Sequence, residues 1–206
     1  MPPRLLKRRT AAAAVAALPV IWTGLRAQPA PPRRATPAQT EGPFYPVRLP
    51  RDTDFDLLRN GALQYTRGEA AWVEGSVTDL QGKPIAGAQV EIWQCDGAGH
   101  YHHPGDGGKA DPAFQGFGRV TVGADGQYRF HTIRPVPYSG RTPHIHVKVK
   151  LGPRELLTTQ LYVAGDPHNE RDFLWRSLDR DQRAAVTVPF ERAGEWRAVF
   201  PIVVTA

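Results

Sequence analysis

The sequence predicts an all-β domain, a β-sandwich with long loops and one short helical excursion. Three observations support this prediction. Glycine and proline each occur 20 times in 206 residues, the apolar runs are short, and runs that alternate apolar and polar residues recur between turn signals. A chain of this length suffices for one ordinary domain with a buried core, together with a tail.

Eight short segments have the alternation or the apolar content that is typical of strands. The predicted strands are residues 72–79, 88–94, 116–122, 126–132, 142–150, 156–163, 184–189 and 195–204. The helical excursion is predicted within residues 168–185, where Asn169 is a candidate N-cap and Phe173, Leu174 and Leu178 share one helix face.

Residues 1–27 have the pattern of an export signal. Basic residues from Arg4 to Arg9 precede an apolar stretch from Ala11 to Trp22, and Leu25-Arg26-Ala27 offers a cleavage site with small residues. The adjacent Arg8-Arg9 pair resembles a twin-arginine signal, which predicts export to the periplasm. The apolar stretch is too short and too rich in alanine for a stable membrane span, so none is predicted in the mature form. A disordered basic tail and a membrane anchor are the alternatives.

The remaining chain is predicted to contain two parts. Residues 28–70 are expected to form a linker and an N-terminal arm, because residues 28–40 are rich in Pro, Ala, Arg and Gln. Residues 40–46 bring aromatic side chains into a turn-like segment, which either packs on the domain or covers a pocket. Residues 71–206 are expected to form the sandwich domain.

The positive net charge at first suggests binding to nucleic acid, but the distribution of the charge along the chain argues against it. The chain has a formal charge of +6, with 26 basic and 20 acidic residues, but five of the basic residues and no acidic residue lie within residues 1–27. The predicted mature protein is therefore nearly neutral, and its charge gives no reason to expect binding to a phosphate backbone. We expect no nucleic-acid partner.

The single cysteine, Cys95, excludes an intrachain disulfide and any metal site built from several cysteines. It lies in the apolar run that contains Trp93. We interpret Cys95 as a small buried apolar residue rather than a reactive thiol.

A pair of histidines marks the candidate site. His144 and His146 are separated by one residue in an alternating run, so on a strand they share a face and form a ready pair of metal ligands. A proline-rich loop just upstream carries Tyr138 and Arg141, and Tyr101 follows the predicted strand 88–94. Two phenols beside two imidazoles favour a trivalent metal, because tyrosinate is a hard anionic donor. Zinc is more usually bound by His, Cys and carboxylate.

Four runs together resemble one enzyme family. They are residues 90–101, residues 116–119 (Gly-Phe-Gly-Arg), residues 138–146 with Arg-Thr-Pro-His-Ile-His at their end, and residues 157–162 (Leu-Thr-Thr-Gln-Leu-Tyr). In these runs and in their spacing the chain resembles the intradiol ring-cleavage dioxygenases, which include protocatechuate 3,4-dioxygenases and catechol 1,2-dioxygenases. The resemblance extends over about residues 40–200.

The resemblance implies a fold and a metal centre. It implies a transthyretin-like β-sandwich that holds one non-haem Fe(III) per active site. Carried over by motif, Tyr101 and His146 are the equatorial ligands, and Tyr138 and His144 are the axial ligands. The implied reaction cleaves a catechol-type ring with O₂ between the two hydroxylated carbons and gives a cis,cis-muconate-type product.

The resemblance also implies roles for residues around the metal. Tyr138 is the ligand that leaves when the substrate binds, and Arg141 stabilises negative charge that develops on the ring. Gln160 corresponds to a glutamine near the substrate, and Trp93 to a tryptophan in the pocket wall. Whether the chain forms a homo-oligomer stays open.

Several other residues are interpreted as structural, and two other functions stay open. His100, His102 and His103 are read as loop or pocket-rim residues, His131 and His168 as structural or solvent-facing, and Glu91 as a surface or packing carboxylate. One alternative function is a non-catalytic transthyretin-like module that binds a carbohydrate or a protein in the periplasm. The other is a copper or zinc enzyme that uses His144 and His146.

Overall fold

The structure, a computed structural model, describes residues 33–206; the predicted export signal lies outside the described residues. The strands are β1 (Arg59–Asn60), β2 (Leu63–Gln64), β3 (Ala70–Thr78), β4 (Gln89–Trp93), β5 (Phe117–Thr121), β6 (Gln127–Ile133), β7 (His144–Leu151), β8 (Arg154–Val163), β9 (Thr187–Val188), β10 (Glu191–Ala193), β11 (Glu195–Val199) and β12 (Ile202–Val203). The helices are α1 (Phe173–Ser177), α2 (Arg180–Val186) and two 3-10 helices, Pro104–Asp106 and Asn169–Arg171. The predicted all-β class is confirmed.

Two five-stranded sheets form the sandwich. In the first sheet, β3 pairs antiparallel with β6 along one edge and parallel with β11 and β12 along the other, and β10 extends β11. The second sheet has the order β5-β4-β7-β8-β9 and is antiparallel except for the β8–β9 pair. β1 and β2 form a separate two-stranded hairpin.

The core lies between the two sheets, where the side chains of alternate residues meet. Val73 and Val77 of β3 belong to the same buried cluster as Ile92 of β4 and Ile145 and Val147 of β7. Because successive strand residues point to opposite faces, the intervening residues of β4 and β7 are directed to the outer face of the second sheet. That outer face carries the candidate site.

Two predictions for the region after β8 are wrong. The first half of the strand predicted over residues 184–189 is helix, since α2 extends to Val186 and only Thr187–Val188 pair with β8. Asp179 begins α2 through a capping box with Gln182, a local signal that outweighs the β-branched residues that follow. The predicted excursion therefore consists of a 3-10 helix followed by two short α-helices.

The start of the first helix also differs from the prediction. Asp172, and not Asn169, is the N-cap of α1, because its carboxylate accepts hydrogen bonds from the backbone N–H groups of Leu174 and Trp175. Asn169 lies in the preceding 3-10 helix. Phe173 is 68% exposed rather than packed on the core.

The segment before β3 is attached to the sandwich. The N–H of Thr36 donates to the carbonyl of Val203, and the N–H of Gln39 donates to the carbonyl of Thr158, so the flexible linker predicted over residues 28–40 is wrong for residues 33–40. We call residues 33–46 the N-terminal arm. The later part of the segment predicted as linker and arm, residues 28–70, supplies Leu57, Leu58 and Tyr65 to the core and forms the β1–β2 hairpin. Within residues 33–206, no helix has the length and apolar character that a membrane span requires.

Gly75 lies between the part of β3 that pairs with β11 and the part that pairs with β12. We predict that Gly75→Ala destabilises the fold. A Cβ at this position would overlap the carbonyl oxygen of Phe200 and lie 3.0 Å from Tyr128 Oη. Both neighbours are fixed, because Tyr128 donates a hydrogen bond to Phe200 O. We expect a loss of about 3 kcal/mol in the free energy of unfolding, measured by urea denaturation.

The control is Gly123→Ala. Gly123 also has an ordinary φ, and a Cβ there would meet only Asp125 Oδ1 at 3.4 Å. We expect this variant to unfold at the same urea concentration as the wild type. Equal midpoints for the two variants would contradict the close approach at Gly75.

Candidate metal centre and active site

The register of the second sheet places the predicted site residues side by side. Trp93 on β4 is paired with His146 on β7, and His146 is paired with Gln160 on β8. Two residues before His146 on β7, His144 is paired with Tyr162. Since paired residues project from the same face, this outer face carries a continuous row of site side chains.

Two carboxylates shape the loop that carries Tyr101. Asp96 Oδ1 accepts hydrogen bonds from the N–H groups of Ala98 and His100 at 2.9 and 3.0 Å, and Asp96 Oδ2 accepts from the N–H of Asp111 at 2.8 Å. The N–H of Tyr101 itself donates to Asp106 Oδ2 at 2.7 Å. Aspartate and glycine in such a loop favour tight turns, and these bonds direct Tyr101 towards β7.

The four predicted metal ligands meet at one place. The ring centroids are 4.9 Å apart for Tyr101 and Tyr138, 5.3 Å for Tyr138 and His144, 4.8 Å for His144 and His146, and 6.1 Å for Tyr101 and His146. Tyr101, His144 and His146 are at most 2% exposed, whereas Tyr138 is only half-buried. Tyr138 is therefore the one of the four side chains that reaches solvent, and we call the side on which it lies the open side of the site.

The two histidines have their Nε2 atoms directed at the same point. His144 Nδ1 donates to the carbonyl of Thr142 at 2.6 Å, which leaves the lone pair of His144 on Nε2. The two Nε2 atoms lie 3.2 Å apart. Burial and the nearby charge of Arg141 lower the pKa of His144 to about 4. Burial, followed by the effects of His144 and Arg141, lowers the pKa of His146 well below its usual value. Both rings are therefore neutral, the form that binds metals.

The donor set fits a metal cation that tyrosine can bind. The Tyr101 hydroxyl is buried and has no hydrogen-bond partner within residues 33–206, and burial raises its pKa well above the ordinary value. A highly charged cation would supply the partner that this oxygen lacks, beside the Nε2 lone pair of His144. Among the described residues, no group of three or more His, Cys, Asp and Glu side chains is arranged to hold a metal. Tyr101 and Tyr138 are the oxygen donors whose rings lie beside His144 and His146.

Arg141 and Gln160 form one hydrogen-bonded group beside these ligands. Arg141 Nη2 donates to Gln160 Oε1 at 2.8 Å, and Arg141 Nε donates to Asp172 Oδ2 at 2.6 Å. Gln160 Oε1 also accepts from the Tyr162 hydroxyl at 3.0 Å, and Gln160 Nε2 donates to the carbonyl of Thr40 at 3.1 Å. Arg141 and Gln160 therefore lie together as predicted, and Asp172 and Tyr162 are members of the site that the sequence did not reveal.

The N-terminal arm covers the outer face of the second sheet. Phe44 stacks on Tyr101 with ring centroids 4.7 Å apart, and Tyr45 packs edge-on against Trp93 at 5.0 Å. A Cβ at Gly42 would lie 3.2 Å from His146 Cε1, so the arm backbone passes directly over that imidazole. Of the two roles considered for this segment, covering the site is the one that the structure shows.

Trp93 lies beneath the arm with one ring face on His146. The two rings are nearly parallel, with centroids 4.8 Å apart and an interplanar angle of 9°. Trp93 also lines a cavity of about 120 Å³ together with Phe44, Tyr101, Gln115 and Phe117. Its immediate contact is thus with a candidate ligand, and its predicted role in the wall of a substrate pocket stays a prediction.

The other histidines and Glu91 have structural contacts. His102 Nε2 lies 2.6 Å from the carbonyl oxygen of Phe114, and His103 Nδ1 accepts from the N–H of Gly105 at 3.0 Å. Glu91 is fully buried and interacts with a set of three polar side chains. They are Arg119 at 2.6 Å, Lys150 at 3.2 Å and the Tyr45 hydroxyl at 2.8 Å. Glu91 is therefore a packing carboxylate, one of the two roles considered for it.

His100, His131 and His168 each lie beside an aspartate. Their nearest approaches are 3.3 Å to Asp106, 2.9 Å to Asp56 and 2.8 Å to Asp166, respectively. His100 lies in a loop, His131 lies on β6 beside Asp56, and His168 is exposed. None of the three belongs to the group of four rings.

Comparison with known proteins identifies the family. A sequence model of the family described as "Dioxygenase" matches residues 40–192. The hydroxyquinol 1,2-dioxygenase of Nocardioides simplex is 32% identical over an alignment 197 residues long, which covers 82% of this chain and 64% of that protein. The protocatechuate 3,4-dioxygenase beta chain of Burkholderia cepacia is 40% identical over an alignment 127 residues long, which covers 55% of this chain and 53% of that protein. The chain belongs to the intradiol dioxygenase family.

Solved structures of the family have the same fold. The dioxygenase domain of a dioxygenase–carbohydrate-binding protein fusion from Streptomyces sp. SirexAA-E has a TM-score of 0.68 and 33% identity, and the match covers 84% of this chain and 99% of that one. The hydroxyquinol 1,2-dioxygenase of Pseudomonas putida DLL-E4 has a TM-score of 0.66 and 26% identity, with 84% and 68% covered. By contrast, the match covers only 48% of the curated hydroxyquinol 1,2-dioxygenase of Corynebacterium glutamicum.

Cys95 packs with Trp93, Tyr101 and Phe117, which confirms the interpretation of a buried apolar residue. Burial, with a smaller contribution from Asp96, raises the pKa of the thiol to about 12. Because only the thiolate is nucleophilic, and the raised pKa keeps the neutral thiol up to about pH 12, we predict almost no reaction with iodoacetamide at pH 8 in the native protein.

The measurement is the mass of the protein after timed labelling, with and without denaturant. We expect complete modification at Cys95 in denaturant and none on the same timescale in buffer. Rapid labelling of the native protein at pH 8 would contradict the burial of this thiol beside Tyr101.

Proposed function

We propose that this chain is a non-haem Fe(III) intradiol dioxygenase that cleaves a catechol-type ring with O₂ between the two hydroxylated carbons, giving a cis,cis-muconate-type product. The observation that carries this proposal is the convergence of two tyrosines and two neutral histidines at one buried place in a chain of this family. Tyr101, Tyr138, His144 and His146 would hold the iron. When bound, ferric iron supplies a Lewis acid for the catechol oxygens and the chemistry that joins the ring to O₂.

The surroundings of each ligand support different roles. Tyr101, His144 and His146 are at most 2% exposed, so their surroundings suit permanent ligation. Tyr138 is half-buried on the open side, and its Oη is the atom suited to take up a proton from a substrate hydroxyl. This difference supports the division of roles that the family resemblance implies.

Arg141 supplies a fixed positive charge next to the ligands. Its guanidinium is bound to Asp172 and Gln160, so it is oriented before a substrate arrives. A preoriented charge stabilises negative charge on a substrate ring without a reorganisation cost during the reaction. Gln160 acts in this arrangement by holding both Arg141 and the arm.

The test is the visible absorption spectrum and the iron content of the purified protein, before and after anaerobic addition of catechol, hydroxyquinol or protocatechuate. We expect one iron per chain, a charge-transfer band from tyrosinate to Fe(III), and a shift of that band to longer wavelength with a substrate. Admission of O₂ should then consume the catechol and release a muconate-type product. This outcome requires the metal, the tyrosines and the substrate class together.

The variants Tyr101→Phe and Tyr138→Phe remove one phenol each. Each should change the charge-transfer band and reduce turnover by more than the roughly 10- to 100-fold that loss of a supporting residue costs. The matched control is Tyr128→Phe, which removes a buried, hydrogen-bonded phenol from the first sheet and should leave the band unchanged. A colourless protein after iron reconstitution, with no effect of the two site variants, would refute the dioxygenase and favour a non-catalytic binding module.

We further propose that residues 1–27 direct export to the periplasm through a twin-arginine-like signal. This proposal is supported by the sequence pattern, in which the Arg8-Arg9 pair directly precedes the apolar stretch from Ala11 to Trp22. Replacing Arg8 and Arg9 by lysine should retain the protein in the cytoplasmic fraction of an expressing bacterium, as detected by immunoblotting. The control replaces Arg33 and Arg34, a second arginine pair, in the same way. Export of both variants would refute the proposal.

A further inference from the structure

Asp172 has more partners than an N-cap residue needs. It is 1% exposed, and its carboxylate accepts hydrogen bonds from Arg141 Nε at 2.6 Å and from the N–H of Thr142 at 3.0 Å. It also accepts from the N–H groups of Leu174 and Trp175, both at 3.0 Å, at the start of α1. Asparagine or serine caps a helix equally well, so capping alone does not explain a buried negative charge. The partner that compensates this charge is Arg141.

The carboxylate is held in its ionised form. Burial opposes ionisation, but hydrogen bonds from Arg141 and from the backbone of Trp175 and Thr142 outweigh it and hold the pKa of Asp172 below its usual value. The pair is therefore a charged one in which each partner has a fixed position.

The geometry of Arg141 shows what this pairing does to the guanidinium. Asp172 occupies Nε, and Gln160 occupies Nη2 at 2.8 Å. The hydrogen bonds among residues 33–206 leave Nη1 unused. A guanidinium held at two of its three nitrogens cannot rotate about the Cδ–Nε bond that joins it to the aliphatic part of the side chain. Its third nitrogen is then presented in one direction.

The same carboxylate is connected to a candidate metal ligand through Thr142. The N–H of Thr142 donates to Asp172, and the carbonyl of Thr142 accepts from His144 Nδ1 at 2.6 Å. The Thr142 hydroxyl donates to Asn169 Oδ1 at 2.6 Å, which attaches the same residue to the 3-10 helix before α1. Asp172 thus fixes Arg141 and the backbone that orients His144 relative to each other.

We propose that Asp172 is a positioning residue for ring cleavage: it holds the guanidinium of Arg141 so that Nη1 is directed to the substrate, in a fixed relation to His144. This inference rests on the proposed function. Without the carboxylate, Arg141 Nε loses its acceptor and the guanidinium gains alternative orientations. A displacement of about 1 Å in a group of this kind can reduce the rate by about 100-fold.

The experiment uses the full-length, iron-loaded enzyme and the variant Asp172→Asn, which keeps the shape and the helix cap but removes the charge. Iron content, the charge-transfer band, kcat and KM for catechol, and the dissociation constant of 4-nitrocatechol under anaerobic conditions are measured for each protein. We expect an unchanged iron content, a kcat reduced by up to about 100-fold, and a smaller change in KM. Binding of 4-nitrocatechol should weaken in the same direction as in Arg141→Ala.

A double-mutant comparison separates positioning from mere stabilisation of the fold. If Asp172 acts through Arg141, then Asp172→Asn in an Arg141→Ala background should reduce kcat by less than about twofold further. The control is Asp179→Asn, the same substitution at the N-cap of α2, where the cap contacts only its own helix. This control should have wild-type kinetics. Should Asp172→Asn fail to fold, Asp172→Ser retains a cap and tests the same loss of charge.

Three results would overturn the inference, and they differ from each other. Wild-type kinetics for Asp172→Asn or Asp172→Ser, beside a wild type that cleaves catechol, refute the positioning role alone. Full additivity of the Asp172 and Arg141 substitutions refutes action through Arg141 and leaves a structural role. A wild type that neither binds 4-nitrocatechol nor cleaves a catechol refutes the proposed function, and the inference with it.

Discussion

The candidate site depends on the burial of the second sheet on both of its faces. The inner face packs against the first sheet, as expected for a sandwich, and the outer face is covered by the N-terminal arm. This second covering removes water from His144 and His146 and keeps both imidazoles neutral. A strand that carried the same two histidines on an open face would have protonated, hydrated rings in mildly acidic solution, and they would be poorer metal ligands.

Covering a polar sheet face is costly unless its groups find partners, and the arm supplies many of them. Thr40 accepts a hydrogen bond from Gln160, and Glu41 forms an ion pair with Lys148, whose ammonium also lies over the Tyr45 ring. The Tyr45 hydroxyl donates to Glu91, which is otherwise neutralised by arginine and lysine. The arm is consequently part of the site, because it satisfies the polar groups that its own presence buries.

Sequence reasoning succeeded where the chemistry follows a local pattern. Alternation along a strand placed His144 and His146 on one face, and the motif spacing brought Tyr101, Tyr138 and Arg141 into one set. It did not find Asp172 or Asn169, because their partners Arg141 and Thr142 are distant along the chain. Nor did it find Tyr162, whose hydroxyl joins nearby Gln160 to distant Gln39. An aspartate before a short helix has the same local signature at positions 172 and 179, but only the first lies opposite an arginine.

The errors in the fold prediction have two different origins. Residues 184–189 contain β-branched and apolar residues, but the capping box at Asp179 starts a helix that continues to Val186. The linker was inferred from proline-rich composition, which describes an isolated segment and not one that is hydrogen-bonded to two sheets. In the first case a local capping signal outweighs strand propensity, and in the second case tertiary hydrogen bonds override what composition predicts.

The position of β3 in the first sheet has a kinetic consequence. β3 is the first long strand of the sandwich, yet it pairs Ala71 with Trp196 and Val77 with Ile202, so its partners along one edge are the last strands of the chain. Contacts between residues so far apart in sequence require the closure of a very long loop, and domains dominated by such contacts fold slowly. The first sheet therefore cannot be completed during synthesis until the carboxyl-terminal strands have left the ribosome.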